Sequence, residues 1–165
     1  MKENIHLEIV YPDSIERVWR ALTDPAFLSQ WLMPADFEPR IGFRYALKSG
    51  SQEITGVVLE CDGKSRLVYT WEDGESDQPS IVAWNLSPED GGTRLTLDHS
   101  ELPLAKLSFS IEAEVNWKSA VTYLGSIMSG HGRPPVPIVY CIDEVLIPVL
   151  ERAGFRQPEL SEAVC

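Results

Sequence analysis

The chain has 165 residues, 44% of them hydrophobic and 24% charged, which excludes a disordered polymer and suits one globular domain with a sizeable core. Its 14 basic and 25 acidic residues give a formal charge of −11, a balance that repels phosphate backbones and anionic headgroups. Nucleic acid and membrane surfaces are therefore not expected partners; neutral or cationic ligands and basic proteins are favoured, and the same charge also serves plain solubility.

In chain order, the first element is a half-buried strand over 4–11, where Ile5, Leu7 and Ile9 share one parity and His6, Glu8 and Val10 the other. Pro12-Asp13-Ser14 breaks it and supplies capping side chains, after which Ile15, Val18, Trp19 and Leu22 recur at helical spacing. Thr23-Asp24-Pro25 is a second start signal, with a cap followed by a first-turn proline, and Phe27, Leu28, Trp31 and Leu32 form the stripe of a second short helix.

Past Met33-Pro34 the period changes to two. Phe43, Tyr45 and Leu47 alternate with polar neighbours, Ile54–Cys61 is rich in β-branched residues, and Leu67, Tyr69 and Trp71 share a face. An acidic loop covers Glu72–Gln78, then Val82, Trp84 and Leu86 alternate, followed by Leu95, Leu97 and His99. Turn residues at 49–51, 62–64 and 89–92, together with the acidic loop, separate these strands, which describes an antiparallel meander.

The last third is helical. Trp117, Ala120, Val121, Leu124, Ile127 and Met128 make one apolar stripe that Gly130 ends. Gly132–Pro137 is a proline-rich linker, and a further stripe follows with Ile138, Cys141, Ile142, Val145 and Leu146. The organisation expected is one α+β domain over 1–130 and a linker with an additional helical extension over 131–165. Those apolar side chains need cover, from their own sheet or from a second copy in a homodimer.

Cys61, Cys141 and Cys165 have no metal-binding spacing, and their odd number suits a reducing compartment. The run MKENIHLEIVYP lacks the apolar core of a secretion signal, and no stretch reaches the roughly 18 apolar residues of a membrane span. A cytoplasmic protein is expected.

Three stretches carry a family resemblance: Ile15–Pro25 followed by Trp31-Leu32, Arg66–Trp71, and Gly91-Gly92-Thr93-Arg94-Leu95-Thr96-Leu97-Asp98-His99-Ser100. With Trp117 and Leu124 they cover about residues 5–129, and the chain resembles the SRPBCC (START/Bet v 1-like) superfamily, within it the homologues of the heat-shock-protein-90 ATPase activator. The resemblance implies a helix-grip fold, in which a curved antiparallel sheet wraps a long C-terminal helix and two short helices follow the first strand. It also implies a cavity between sheet and helix. Two departures stand out: the approach to the long helix reads Val115-Asn116-Trp117 in place of the family's Gly-Trp, and residues 130–165 run past its usual end.

Parity places Phe43, Tyr45, Tyr69, Trp71, Trp84 and His99 on inward faces, and the helix adds Trp117, Val121 and Leu124. These are the candidate ligand-binding residues; the alternative is that the rings simply pack as core. His99 suits a hydrogen bond to a ligand or a proton-carrying role, and equally a structural histidine. Asp98 and Arg94 have the opposite parity and belong on a solvated face. His6, His99 and His131 share no metal-ligand spacing, no nucleophile elbow or phosphate-cradling loop occurs, and neither catalytic residues nor a cofactor is expected.

Non-enzymatic holding of a small apolar molecule is thus the leading reading. A cyclase, dehydratase or hydrolase working in the same cavity is its alternative, and it needs a polar pair such as His99 with Tyr45 or Tyr69. A third reading, implied by the resemblance, is a co-chaperone-like interaction module with a chaperone-type protein as partner.

Overall fold

The computed structural model describes residues 2–74, 76–103 and 107–130. The extension expected at 131–165, with its possible dimer contact, and His131 lie outside the described residues.

Strand β1 (Lys2–Tyr11) leads into α1 (Ile15–Thr23) and α2 (Pro25–Trp31). The two helix starts are local chemistry. The Ser14 hydroxyl accepts from the Arg17 amide at 3.3 Å. Asp24 closes one helix and opens the next: its amide donates to the Arg20 carbonyl, its carboxylate accepts from the Ala26 amide at 2.9 Å, and Pro25 occupies the first turn. The Trp31 indole N–H donates to the Ala21 carbonyl at 2.7 Å, which sets α2 across α1 and points the indole into the core.

There follow β2 (Ala35–Asp36), β3 (Arg44–Ser49), β4 (Gln52–Asp62), β5 (Arg66–Trp71), β6 (Ser80–Glu89), β7 (Gly92–Pro103) and α3 (Leu107–Met128). The strands form a seven-stranded sheet in the order β1-β7-β6-β5-β4-β3-β2, every pair antiparallel. This is the α+β helix-grip architecture, with the sheet's concave side turned toward the helices. The two-residue β2 is too short for any alternation and was not legible in the sequence. On the outer face Asp98 pairs with His6 at 2.6 Å, and Arg94 pairs with Glu8 and Glu89, as their parity requires.

The sheet bends within β4. Its first half pairs with β3 and its second with β5, with a register slip between Val58 and Glu60. At the bend Gly56 lies so close to β5 that a Cβ there would overlap the Thr70 carbonyl and stand 2.7 Å from the Tyr45 ring. The Val57 amide meanwhile bonds the Thr70 hydroxyl at 2.8 Å. Replacing Gly56 with Ala is therefore expected to destabilise the fold by about 1–3 kcal/mol, as overpacking does. Urea denaturation of Gly56→Ala checks this; a neutral result would mean that the two strands have room to separate.

Helix α3 lies over the concave face with Trp117, Ala120, Val121, Leu124 and Met128 buried. Tyr11, at the end of β1, fixes its second half. The phenol donates to the Val121 carbonyl at 2.6 Å, and the ring lies against Gly125, where a Cβ would come within 3.2 Å of it.

Candidate functional site

Alternation along β5, β6 and β7 and the stripe of α3 bring five of the expected residues into one cluster. The Trp117 indole lies among three rings: Trp71 at 5.1 Å between centroids, Trp84 at 5.4 Å edge-on, and His99 at 6.1 Å edge-on. Trp71 also meets His99 at 5.9 Å. Tyr69 links this cluster to a second, in which Tyr45 stands 5.0 Å and Phe37 5.9 Å from it. Trp71 is half-buried at the end of β5, whereas His99 is 2% exposed and Trp117 4%.

Of the remaining expected residues, Leu124 is fully buried and Val121 is buried beneath the Tyr11 hydroxyl. Phe43 is half-buried, packs against the core and lies under the Arg40 guanidinium, 5.4 Å above its ring; it has no ring contact with the cluster among the described residues.

The polar atoms of the cluster are bonded to one another in a fixed direction. An indole N–H can only donate, so Trp117 Nε1 gives its hydrogen to His99 Nδ1 at 3.0 Å. That makes Nδ1 the lone-pair nitrogen, and the neutral ring carries its hydrogen on Nε2, which donates to Ser80 Oγ at 2.7 Å. The Ser80 hydroxyl then donates to the Trp71 carbonyl at 3.3 Å. Burial lowers the His99 pKa to about 4, so the ring is neutral near pH 7.

Ser80 next to His99 has the outline of a nucleophile and its base, but it runs the wrong way. A general base needs its lone pair on Nε2 and an acceptor behind Nδ1 to hold that tautomer. Behind Nδ1 stands a donor, the Trp117 N–H, and turning the tautomer would set two N–H groups against each other.

The tyrosines are similarly committed. Tyr45 donates to the Thr70 carbonyl at 2.5 Å, and the Tyr69 oxygen accepts from Trp84 Nε1 at 2.8 Å. Burial pushes both phenols well above their usual pKa, reinforced at Tyr45 by the neighbouring Tyr69 and Glu72, so both stay neutral. Among the described residues no buried side-chain nitrogen or oxygen lacks a partner, and no group of three or more His, Cys, Asp or Glu is arranged to hold a metal.

Sequence reasoning missed Ser80, Phe37 and Tyr11. Ser80 shares the parity of Val82 and Trp84, so extending the alternation two residues back would have found it, and Tyr11 likewise continues the Ile5, Leu7 and Ile9 parity of β1; Phe37 sits outside regular alternation and carries no comparable signal. A separate concavity of about 310 Å³ is lined by Glu53, Thr55, Glu72, Asp73, Asp77 and neighbours. Its carboxylates do not suit an apolar body.

Among curated proteins none matches the chain. Solved structures share its fold. Protein MLL2253 from Mesorhizobium loti aligns at 26% identity with a TM-score of 0.73, covering 79% of this chain and 100% of its own. CalU16 from Micromonospora echinospora aligns at 29% identity with a TM-score of 0.66, covering 78% of this chain and 77% of its own. The Aha1 dimer from Colwellia psychrerythraea, at 15% identity and a TM-score of 0.69 over 75% of this chain and 94% of its own, bears on the fold alone. The profile of one family, described as Activator of Hsp90 ATPase homolog 1-like protein, matches residues 13–129, most of the described core. The chain belongs to that family, the Activator of Hsp90 ATPase homolog 1-like proteins.

Proposed function

We propose that this protein holds a small apolar molecule between its sheet and α3 and does not transform it. The observation that carries the reading is the direction of the bonds around His99. A face rich in rings supplies desolvation, while its neutral imidazole and serine are bonded to each other, and its neutral tyrosines to the Thr70 carbonyl and the Trp84 indole, rather than poised to exchange protons. That pattern argues against the cyclase, dehydratase or hydrolase alternative, for which the polar pair needs an acceptor behind His99. Half-buried Trp71 marks the way in, at the end of β5 where the acidic loop begins.

Titration with an environment-sensitive apolar dye, followed by its emission and by tryptophan fluorescence, tests this. Saturable binding is expected, weakened at least several-fold in Tyr69→Ala. Ester or lactone hydrolysis well above that of His99→Ala would overturn the non-enzyme reading.

Membership of a family named for Hsp90 ATPase activation favours a second reading, a protein-interaction module with a chaperone as partner. Ile41 and Leu59 suit it: the Gly42–Val58 backbone bond brings them to neighbouring positions, and they are 64% and 43% exposed. A chain that takes up no apolar molecule yet stimulates a chaperone ATPase would decide for that second reading.

A further inference from the structure

Strand β1 is an edge of the sheet, and its register with β7 decides which of its backbone groups are left over. Glu89 stands opposite Gly92 across the two turn residues Asp90 and Gly91, and such a closing pair exchanges both of its backbone bonds. Bonded pairs alternate from there, so Arg94, Thr96 and Asp98 turn their backbone groups toward β6, and Thr93, Leu95, Leu97 and His99 turn theirs toward β1. Their partners Tyr11, Ile9, Leu7 and Ile5 are thereby satisfied. The amides and carbonyls of Asn4, His6, Glu8 and Val10 point away from the sheet, and among the described residues β1 pairs with β7 alone. Native sheets guard such an edge with prolines, bulges or inward charges. From Ile5 to Tyr11 this one has none: its register is unbroken, its inward residues are apolar, and its outward charges His6 and Glu8 are drawn toward β7 by Asp98, at 2.6 Å, and by Arg94. Leu7 and Ile9 are moreover only half-buried, whereas Ile5 and Tyr11 on either side of them are buried.

We propose that a second copy of this chain completes the edge, β1 pairing antiparallel with β1 about a two-fold axis through Leu7. That register brings the free backbone groups of His6 to those of Glu8 of the second copy, and those of Asn4 to Val10, so each leftover group from 4 to 10 meets a match. On the inward face it sets Leu7 against Leu7 and Ile5 against Ile9, which covers the two half-buried side chains. On the outward face it sets each His6 opposite a Glu8 carboxylate, twice by symmetry. An axis through His6 or through Glu8 would instead set that residue against its own copy, and like charges directly opposite are disfavoured. The contact is self-complementary, as a two-fold interface requires, and it lies on β1, apart from residues 131–165.

Sedimentation velocity of the full chain, over about a hundred-fold range of concentration, should show monomer and dimer in equilibrium. Glu8→Pro removes an outward amide and leaves the bonds to β7 in place, a substitution an edge strand tolerates; it is expected to weaken the dimer at least about ten-fold while the circular dichroism spectrum is retained. Leu7→Cys gives a second readout. At the axis the two copies of residue 7 form a non-bonded pair with Cα atoms about 4.5 Å apart, within disulfide reach. Mild oxidation should therefore link Leu7→Cys into a covalent dimer in far higher yield than the wild type, whose own cysteines are the background, or than Ile5→Cys, which faces residue 9. Should Glu8→Pro fail to fold, the Leu7→Cys link still decides. A chain that stays monomeric throughout overturns the proposal. So does a dimer that Glu8→Pro leaves unchanged and Leu7→Cys does not link, which would assign the contact to another surface, such as residues 131–165.

Discussion

Replacing Trp117 with Ala is expected to lower the stability of the fold by about 3–5 kcal/mol, the range for a large buried aromatic. Three effects add. The side chain, 4% exposed, loses its apolar burial against Trp71 and Trp84. The rings around it cannot all collapse into the space, because Trp84 is tied through its N–H to Tyr69 and His99 is tied to Ser80. His99 Nδ1 is also left without the donor that neutralised its burial. Trp117→Phe separates these effects: it keeps most of the ring area and removes only the donor, so about 1–3 kcal/mol of the loss should remain. Both values come from urea denaturation curves. A loss below about 1 kcal/mol in the Ala variant would show that α3 does not seat on the sheet through this side chain.

Why Trp117 was legible in the sequence while its bond was not shows where reading a chain stops. Alternation is a local property, so Tyr69 with Trp71, Val82 with Trp84, and Leu95 with Leu97 and His99 could be assigned to inward faces from their own strands. The helix starts were equally local, since Ser14 and Asp24 cap within three residues of themselves. The partners of the polar atoms are not local. Trp117 reaches His99 across 18 residues, Ser80 reaches it across 19, and Tyr45 reaches Thr70 across 25, each between different elements. Parity says that these groups share a side of the sheet; only register says which of them touch.

The same distinction explains the two readings His99 received. Facing inward, an imidazole suits either a ligand contact or a structural role, and its sequence neighbours do not choose between them. Its bonding partners come from elsewhere: Ser80, placed opposite Trp71 by the β5–β6 register, meets Nε2, and the Trp117 indole, carried by α3, meets Nδ1. The bend at Gly56 is another non-local fact. A glycine inside a β-branched strand hints at close approach, but that the Thr70 carbonyl is what approaches follows only from the pairing of β4 with β5.

Buried neutral, His99 should also make the protein acid-sensitive in a defined window. Its pKa falls from 6.5 to about 4 on folding, so the unfolded chain binds the proton more readily than the folded one. The sign follows: the stability tied to the neutral ring is fully present above pH 6.5, declines as the pH falls below that value, and is lost by the folded value near 4. The span corresponds to roughly 3 kcal/mol. Physically, a proton arriving at Nδ1 meets the Trp117 N–H instead of an acceptor, in surroundings that exclude water. Carboxylates titrate over part of the same range, so the measurement is a difference: the stability of the wild type minus that of His99→Gln, which cannot titrate, from pH 7 down to pH 4. That difference should shift against the wild type by roughly 3 kcal/mol. The imidazole resonances of the folded wild type give an independent check, since His99 should hold its hydrogen on Nε2, unprotonated at Nδ1, from pH 7 to below pH 5. A His99 that titrates near 6.5 while the protein remains folded would mean that the ring is open to water and that the Trp117 bond does not set its tautomer.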